Sequence, residues 1–97
     1  MWVMTQTKQR IINSGEIIDI FIDKTGTKIY AETTRDGDFF ELGTYENRDT
    51  CMKIVEHIFV MGFGMDLPLI TMPYGGEIDK WESTLANLVT SQIMRNS

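Results

Sequence analysis

Apolar and polar residues alternate at period two through the first half of this chain, and a spacing of three and four takes over in the second. From Ile17 to Asp23, Ile18, Ile20 and Ile22 share one face while Ile17, Asp19, Phe21 and Asp23 share the other, the signature of a strand. Lys24-Thr25-Gly26-Thr27 reads as a hairpin turn, because Gly tolerates positive φ, and Lys28 to Thr34 as the partner strand. Asp36-Gly37 marks a second hairpin, followed by a strand from Phe39 to Tyr45, and Ile17, Phe21, Tyr30, Phe39 and Tyr45 are expected on the face opposite the main core. Ahead of these, Trp2 to Gln6 is a short β-prone run, succeeded by polar residues and the turn signal Asn13-Ser14-Gly15. The pattern predicts an antiparallel meander.

After Tyr45 the period changes. Cys51, Ile54, Val55 and Ile58 recur at i, i+3, i+4 and i+7, which predicts a helix over 47–61 with Asn47 as its N-cap and Gly62 and Gly64 at its end. Leu67 to Tyr74 is expected to run back along the sheet as an edge strand, since Pro68 and Pro73 exclude a central position. Met61, Met65 and Met72 are expected to fill gaps, and Gly75-Gly76 to turn the chain again. The last segment, 77–94, is an amphipathic helix: Ile78, Trp81, Leu85 and Leu88 form its stripe, Gln92 continues the series, and Val89 and Ile93 widen it. Glu77 and Asp79 in its first turn and Arg95 near its end match the helix dipole. The expected fold is therefore α+β: a meander of about five strands, one packed helix and a C-terminal amphipathic helix.

Composition narrows the class. Ninety-seven residues, 42% of them hydrophobic and including 2 Trp, 3 Tyr and 5 Phe, fit one domain, 1–97, with sheet and first helix in 1–76 and the last helix in 77–97. One cysteine, Cys51, precludes an intrachain disulfide and suggests a reducing compartment. No apolar run approaches membrane-spanning length, so a cytoplasmic protein without membrane partners is expected. Nine Lys and Arg against 14 Asp and Glu give a net charge of -5, which disfavours a nucleic-acid backbone as partner while leaving room for a local pocket of opposite sign.

The opening MWVMTQ, the hairpin strands, the stretch LGTYENRDTCMKIVEHI and the later MP resemble small, mostly uncharacterised proteins of Gram-positive bacteria and their phages. The resemblance covers Met1 to Pro73. It implies a Met-Trp first strand, a meander, an LGxY strand end, one helix and a closing strand, in a phage or prophage setting, and it supplies no catalytic positions. The last helix stands outside it, and Cys51 occupies a place where Ala is more usual.

Residues with catalytic chemistry are sparse. His57, the one histidine, has Lys53 and Met61 four residues to either side, which makes neither a metal pair nor a nucleophile pair. Cys51 lies on the apolar stripe and reads as a core residue. The glycines do not form a phosphate loop with its lysine. A non-enzyme without cofactor or metal is expected. Binding is the leading expectation: a phage-type sponge that sequesters a nucleotide signal of host defence. Gly75 and Gly76 lead into a helix amino terminus whose amides can receive a phosphate, Arg48 offers a guanidinium fork, and Tyr74 and Trp81 offer rings for stacking. Glu77 and Asp79 oppose an anion there, and each residue has a structural alternative: Gly for the turn, Arg48 solvated, Tyr74 and Trp81 in the core. The second expectation is a protein-binding inhibitor of a defence enzyme, in the manner of an anti-CRISPR protein, or an assembly module. For that reading, Asp36, Asp38, Glu41 and Glu46 would face a basic partner.

The length of the last helix on so small a sheet predicts either that it covers the sheet's second apolar face or that it self-associates, as a dimer or higher homo-oligomer, through the Ile78-Trp81-Leu85-Leu88 seam. Sedimentation at micromolar concentration is expected to report a dimer, and a monomer across a wide concentration range would remove the idea.

Overall fold

A computed structural model describes residues 2–34, 37–63 and 67–95, with the side chains at 61–63, 89 and 91–95 outside the description. Asp36, Gly64 and Met65, and the side chains of Met61, Val89, Gln92, Ile93 and Arg95, on which the sequence reading drew, lie outside the described residues. The fold is α+β. Six strands, β1 (Trp2–Met4), β2 (Ile11–Asn13), β3 (Ile17–Ile22), β4 (Lys28–Thr33), β5 (Phe39–Thr44) and β6 (Leu69–Thr71), combine with helices α1 (Arg48–His57) and α2 (Ile78–Arg95).

The strands form two three-stranded sheets rather than one continuous meander. β3, β4 and β5 pair in antiparallel order as the alternation predicts. The second sheet has the order β2-β1-β6, with β1 antiparallel to β2 and parallel to β6. β6 is thus the edge strand expected of the segment between Pro68 and Pro73. β2 was not expected, because three residues are too few to establish a period. Its layer is simple: Ile12, Val3 and Ile70 stand in register across the sheet, and all three are buried.

Two β-bulges correct the face assignments. β3 carries an extra residue, Ile18, between Ile17 (opposite Thr33) and Asp19 (opposite Glu32). The insertion reverses the parity, so Ile17 packs with Ile20 and Ile22 against the core while Ile18 is 60% exposed. β5 carries an extra Leu42 between Glu41 (opposite Tyr30) and Gly43 (opposite Ile29). Beyond it Tyr45 turns into the core instead of joining the outer face. That outer face keeps Phe21, Tyr30 and Phe39, with Phe21 stacked on Tyr30 at 5.7 Å and edge-on to Phe39 at 5.6 Å.

Turns and caps follow local chemistry. Gly26 has φ 78, and the Asp23 carboxylate closes the β3–β4 hairpin by accepting from the Thr25 hydroxyl (2.7 Å) and the Lys28 amide (3.0 Å). Asn47 caps α1 through its side-chain oxygen, which accepts from the Thr50 amide at 2.9 Å. The α-helical part ends at His57, earlier than the periodicity predicts, and the chain continues as a π-helical turn over Ile58–Phe63 that includes Gly62. α2 follows a 3-10 turn over Gly75–Glu77. Ile78, Trp81 and Leu85 of its stripe pack within the chain, whereas Leu88 is 47% exposed. Glu82 joins α2 to α1 through Lys53 at 2.9 Å and His57 at 3.6 Å.

The core gathers Val3, Ile12 and Ile70 from one sheet, Ile29, Ala31 and Leu42 from the other, Cys51 and Ile54 from α1, Ile58 from the π turn, and Leu85 from α2. Gln6, just past β1, joins the sheets. Its backbone amide donates to Leu42 O at 2.8 Å. Its side-chain oxygen accepts from the Thr44 amide at 3.0 Å, and its side-chain nitrogen donates to Thr44 O (3.1 Å) and Pro73 O (3.0 Å). The Tyr45 hydroxyl donates to the same Pro73 carbonyl at 2.7 Å, and burial pushes its pKa upward. Gly43 makes room for that ring: a Cβ there would meet Tyr45 Oη at 2.7 Å. This explains the Leu42-Gly43-Thr44-Tyr45 sequence in physical terms.

Gln6→Leu is expected to destabilise the fold by about 2–3 kcal/mol, since partly buried backbone groups lose their partners, and Tyr45→Phe by about 1 kcal/mol, because Pro73 O retains Gln6. The double substitution leaves that carbonyl with neither donor and should cost more than the two singles added together, as read from urea unfolding.

Candidate functional site

The Gln6–Pro73 bond has a geometric consequence. It fixes the turn after Gln6 beside the segment that leads into α2, and an open cleft of about 210 Å³ results. Lys8, Tyr74, Glu77, Lys80 and Trp81 line it, together with Thr71, Met72, Pro73 and Thr84. Lys8 comes from the β1–β2 connection, Tyr74 from the residue before the 3-10 turn, and Lys80 and Trp81 from the first turn of α2.

Lys8 adopts φ 62 and is the one non-glycine residue with positive φ among the described residues. Its amide donates to Thr5 O at 2.9 Å, which closes the turn in that conformation. A side chain in left-handed geometry costs about 1 kcal/mol, and such residues concentrate where function holds them. Neither Lys8 nor Lys80 makes an ion pair among the described residues. Their two positive charges stand against one from Glu77, so the cleft is locally cationic on a chain of net charge -5.

Tyr74 and Trp81 both line the cleft. Tyr74 is 48% exposed, so it is not a core residue. Trp81 is half-buried at the margin of the core, its indole nitrogen donating to Thr71 O at 2.7 Å and its ring edge-on to His57 at 5.7 Å. That bond fixes the orientation of the indole across β6. Gly75 and Gly76, exposed between Tyr74 and Glu77, are not among the residues that line the cleft; no atom lies within 4 Å of where a Cβ would stand, and neither has positive φ. The turn therefore does not require glycine at either position. What their missing side chains leave is close access to backbone amides at the start of a helix.

Arg48 does not join this group. It is exposed at the start of α1, with its Cβ carbon 3.1 Å from where a Cβ on Gly26 would be. The cationic side chains that line the cleft are Lys8 and Lys80, not Arg48. Periodicity could not have found them, because Lys8 sits in a polar run and meets residues some seventy positions away only through tertiary pairing.

Elsewhere, no group of three or more His, Cys, Asp or Glu side chains among the described residues is arranged to hold a metal ion. No described helix is long and apolar enough to cross a membrane. The aromatic row of Phe21, Tyr30 and Phe39 shares its strands with Asp19, Glu32 and Glu41, and the Lys28 ammonium is engaged by Glu41 at 3.6 Å. Those charges oppose a phosphate backbone on that face. Comparison with protein-family profiles, with curated proteins and with solved structures finds no match to this chain.

Cys51 is fully buried on α1, and burial, followed by the Asp23 carboxylate, pushes its thiol above the ordinary value. Ellman's reagent at neutral pH is expected to label it only as the protein unfolds. Rapid labelling of the folded protein would place the thiol at a reactive surface instead.

Proposed function

We propose that this protein binds a nucleotide-type anion in the Lys8–Tyr74–Lys80–Trp81 cleft and sequesters it without chemical change. The observation that carries the reading is Lys8, held in left-handed geometry on the wall of a cleft that also presents Lys80 and two aromatic side chains. Two ammonium groups supply charge-assisted contacts to phosphate oxygens. The Tyr74 ring is free to stack on a base or cover a ribose, while Trp81, fixed by its bond to Thr71, forms the floor.

A volume of about 210 Å³ falls below the roughly 300–1,000 Å³ of sites that enclose a drug-sized ligand. The cleft accordingly holds one nucleotide unit of a larger cyclic or ADP-ribose-type signal. Glu77 works against the anion and sets a ceiling on affinity. In the phage or prophage setting that the sequence resemblance implies, such a protein lowers the free concentration of a defence signal.

Incubation with a panel of cyclic and ADP-ribose-type nucleotides, then filtration and mass analysis, tests the proposal. One nucleotide should be retained and released intact on heating. Full recovery in the filtrate overturns sequestration, and conversion to a product makes the protein an enzyme. Lys80→Ala should weaken retention by about 1.5–3 kcal/mol, the worth of one charge-assisted contact, and Arg48→Ala should leave it unchanged. Lys8→Gly should separate the two roles of that position: thermal unfolding shifts upward by about 0.5–1 kcal/mol as the strain is relieved, while retention falls.

A further inference from the structure

A second surface, independent of the cleft, lies along the edge of the three-stranded meander. Among the described residues β3 has a neighbour on one side only, so the opposite edge of a six-residue strand is not paired by any described strand. Beside it lies an apolar groove of about 350 Å³ lined by Ile17, Ile18, Asp19, Ile20 and Phe59. The bulge turns Ile18 outward, and the π turn after α1 carries Phe59 and Val60, each 67% exposed. Ile18, Phe59 and Val60 are thus each more than half exposed next to this strand edge. Soluble proteins usually protect such an edge with lysine, proline or a covering element.

Charge decides what fits there. Among the described residues Asp19 is the one charged residue lining the groove, and Glu56 lies exposed on α1 one helical turn before Phe59 and Val60. The Asp23 carboxylate is taken up by its own hairpin, and the Lys53 ammonium by Glu82. A second copy of this chain would bring the same acids, and another net charge of -5, against this edge. A segment that alternates basic and aliphatic residues matches it on both counts.

We infer that the β3 edge docks an extended, basic-and-aliphatic segment of a protein partner by strand addition. Main-chain hydrogen bonds to Asp19–Ile22 provide the register. Alternate aliphatic side chains enter the groove between Ile18 and Phe59, and the intervening lysines or arginines face Asp19 and Glu56.

The probe is a capped ten-residue peptide of alternating Lys and Val, compared with one of alternating Lys and Ser, with amide hydrogen exchange of the full chain as readout. The Lys-Val peptide should slow exchange at Asp19–Ile22, and the Lys-Ser peptide should bind at least tenfold more weakly. Ile18→Ser and Asp19→Lys, both at the open edge, should each reduce binding of the Lys-Val peptide about tenfold or more while thermal unfolding shows both variants folded. Equal binding of the two peptides would reduce the site to unspecific charge attraction and overturn the inference. Protection away from β3, or none, would overturn it as well. Protection of the same amides on raising the protein concentration without peptide would show that a second copy takes the edge instead.

Discussion

The carboxamide of Gln6 is the contact on which the rest of this small protein depends. Two three-stranded sheets share one core, but no strand passes between them. Gln6 satisfies the Thr44 amide and carbonyl as a neighbouring strand would, and its remaining N–H reaches Pro73. A buried amide group offers two donors and two acceptor positions, and here the amide nitrogen and oxygen are both engaged. The same bond holds the polar turn containing Lys8 against the entrance to α2. Sheet pairing and cleft formation are therefore consequences of one side chain.

Tyr45 and Gly43 act as the second half of this joint. The phenol lies where a Cβ on residue 43 would be, so only glycine allows the hydroxyl to meet Pro73 O. The bulge at Leu42 makes this possible by turning the end of β5 inward. A similar bulge at Ile18 turns an apolar side chain outward beside the π turn. One inserted residue completes the core, and the other leaves an apolar edge in solvent.

Electrostatics divide the surface along the same lines. Most of the excess acidity is spread over strands, turns and α1, while Lys8 and Lys80 converge at the cleft. Glu82 anchors α2 through Lys53 and His57, so those charges serve helix packing rather than a ligand. The cleft, lined by Lys8 and Lys80, and the groove at the β3 edge, lined by Asp19, therefore differ in the sign of their local charge.

Sequence alone determined the class of this fold: the period of two from β3 to β5, the three-four spacing of both helices, the Asn47 cap and the edge placement of a strand between two prolines are all local properties. Local pattern also placed Tyr74 and Trp81 together, since they stand seven positions apart with one turn between them. It misread Ile17, Ile18 and Tyr45, because one extra residue in a strand reverses every face beyond it and leaves no mark in composition. It missed β2, which is too short to show a period, and Lys8, which lies in an ordinary polar run. Only the tertiary structure decided that β1 pairs in parallel with β6, that Lys8 meets Tyr74 and Lys80, and that Arg48 stands outside their cleft. Those outcomes depend on hydrogen bonds between residues distant in the chain, such as Gln6 and Pro73, whose partners are selected by the packed core and not by their neighbours in sequence.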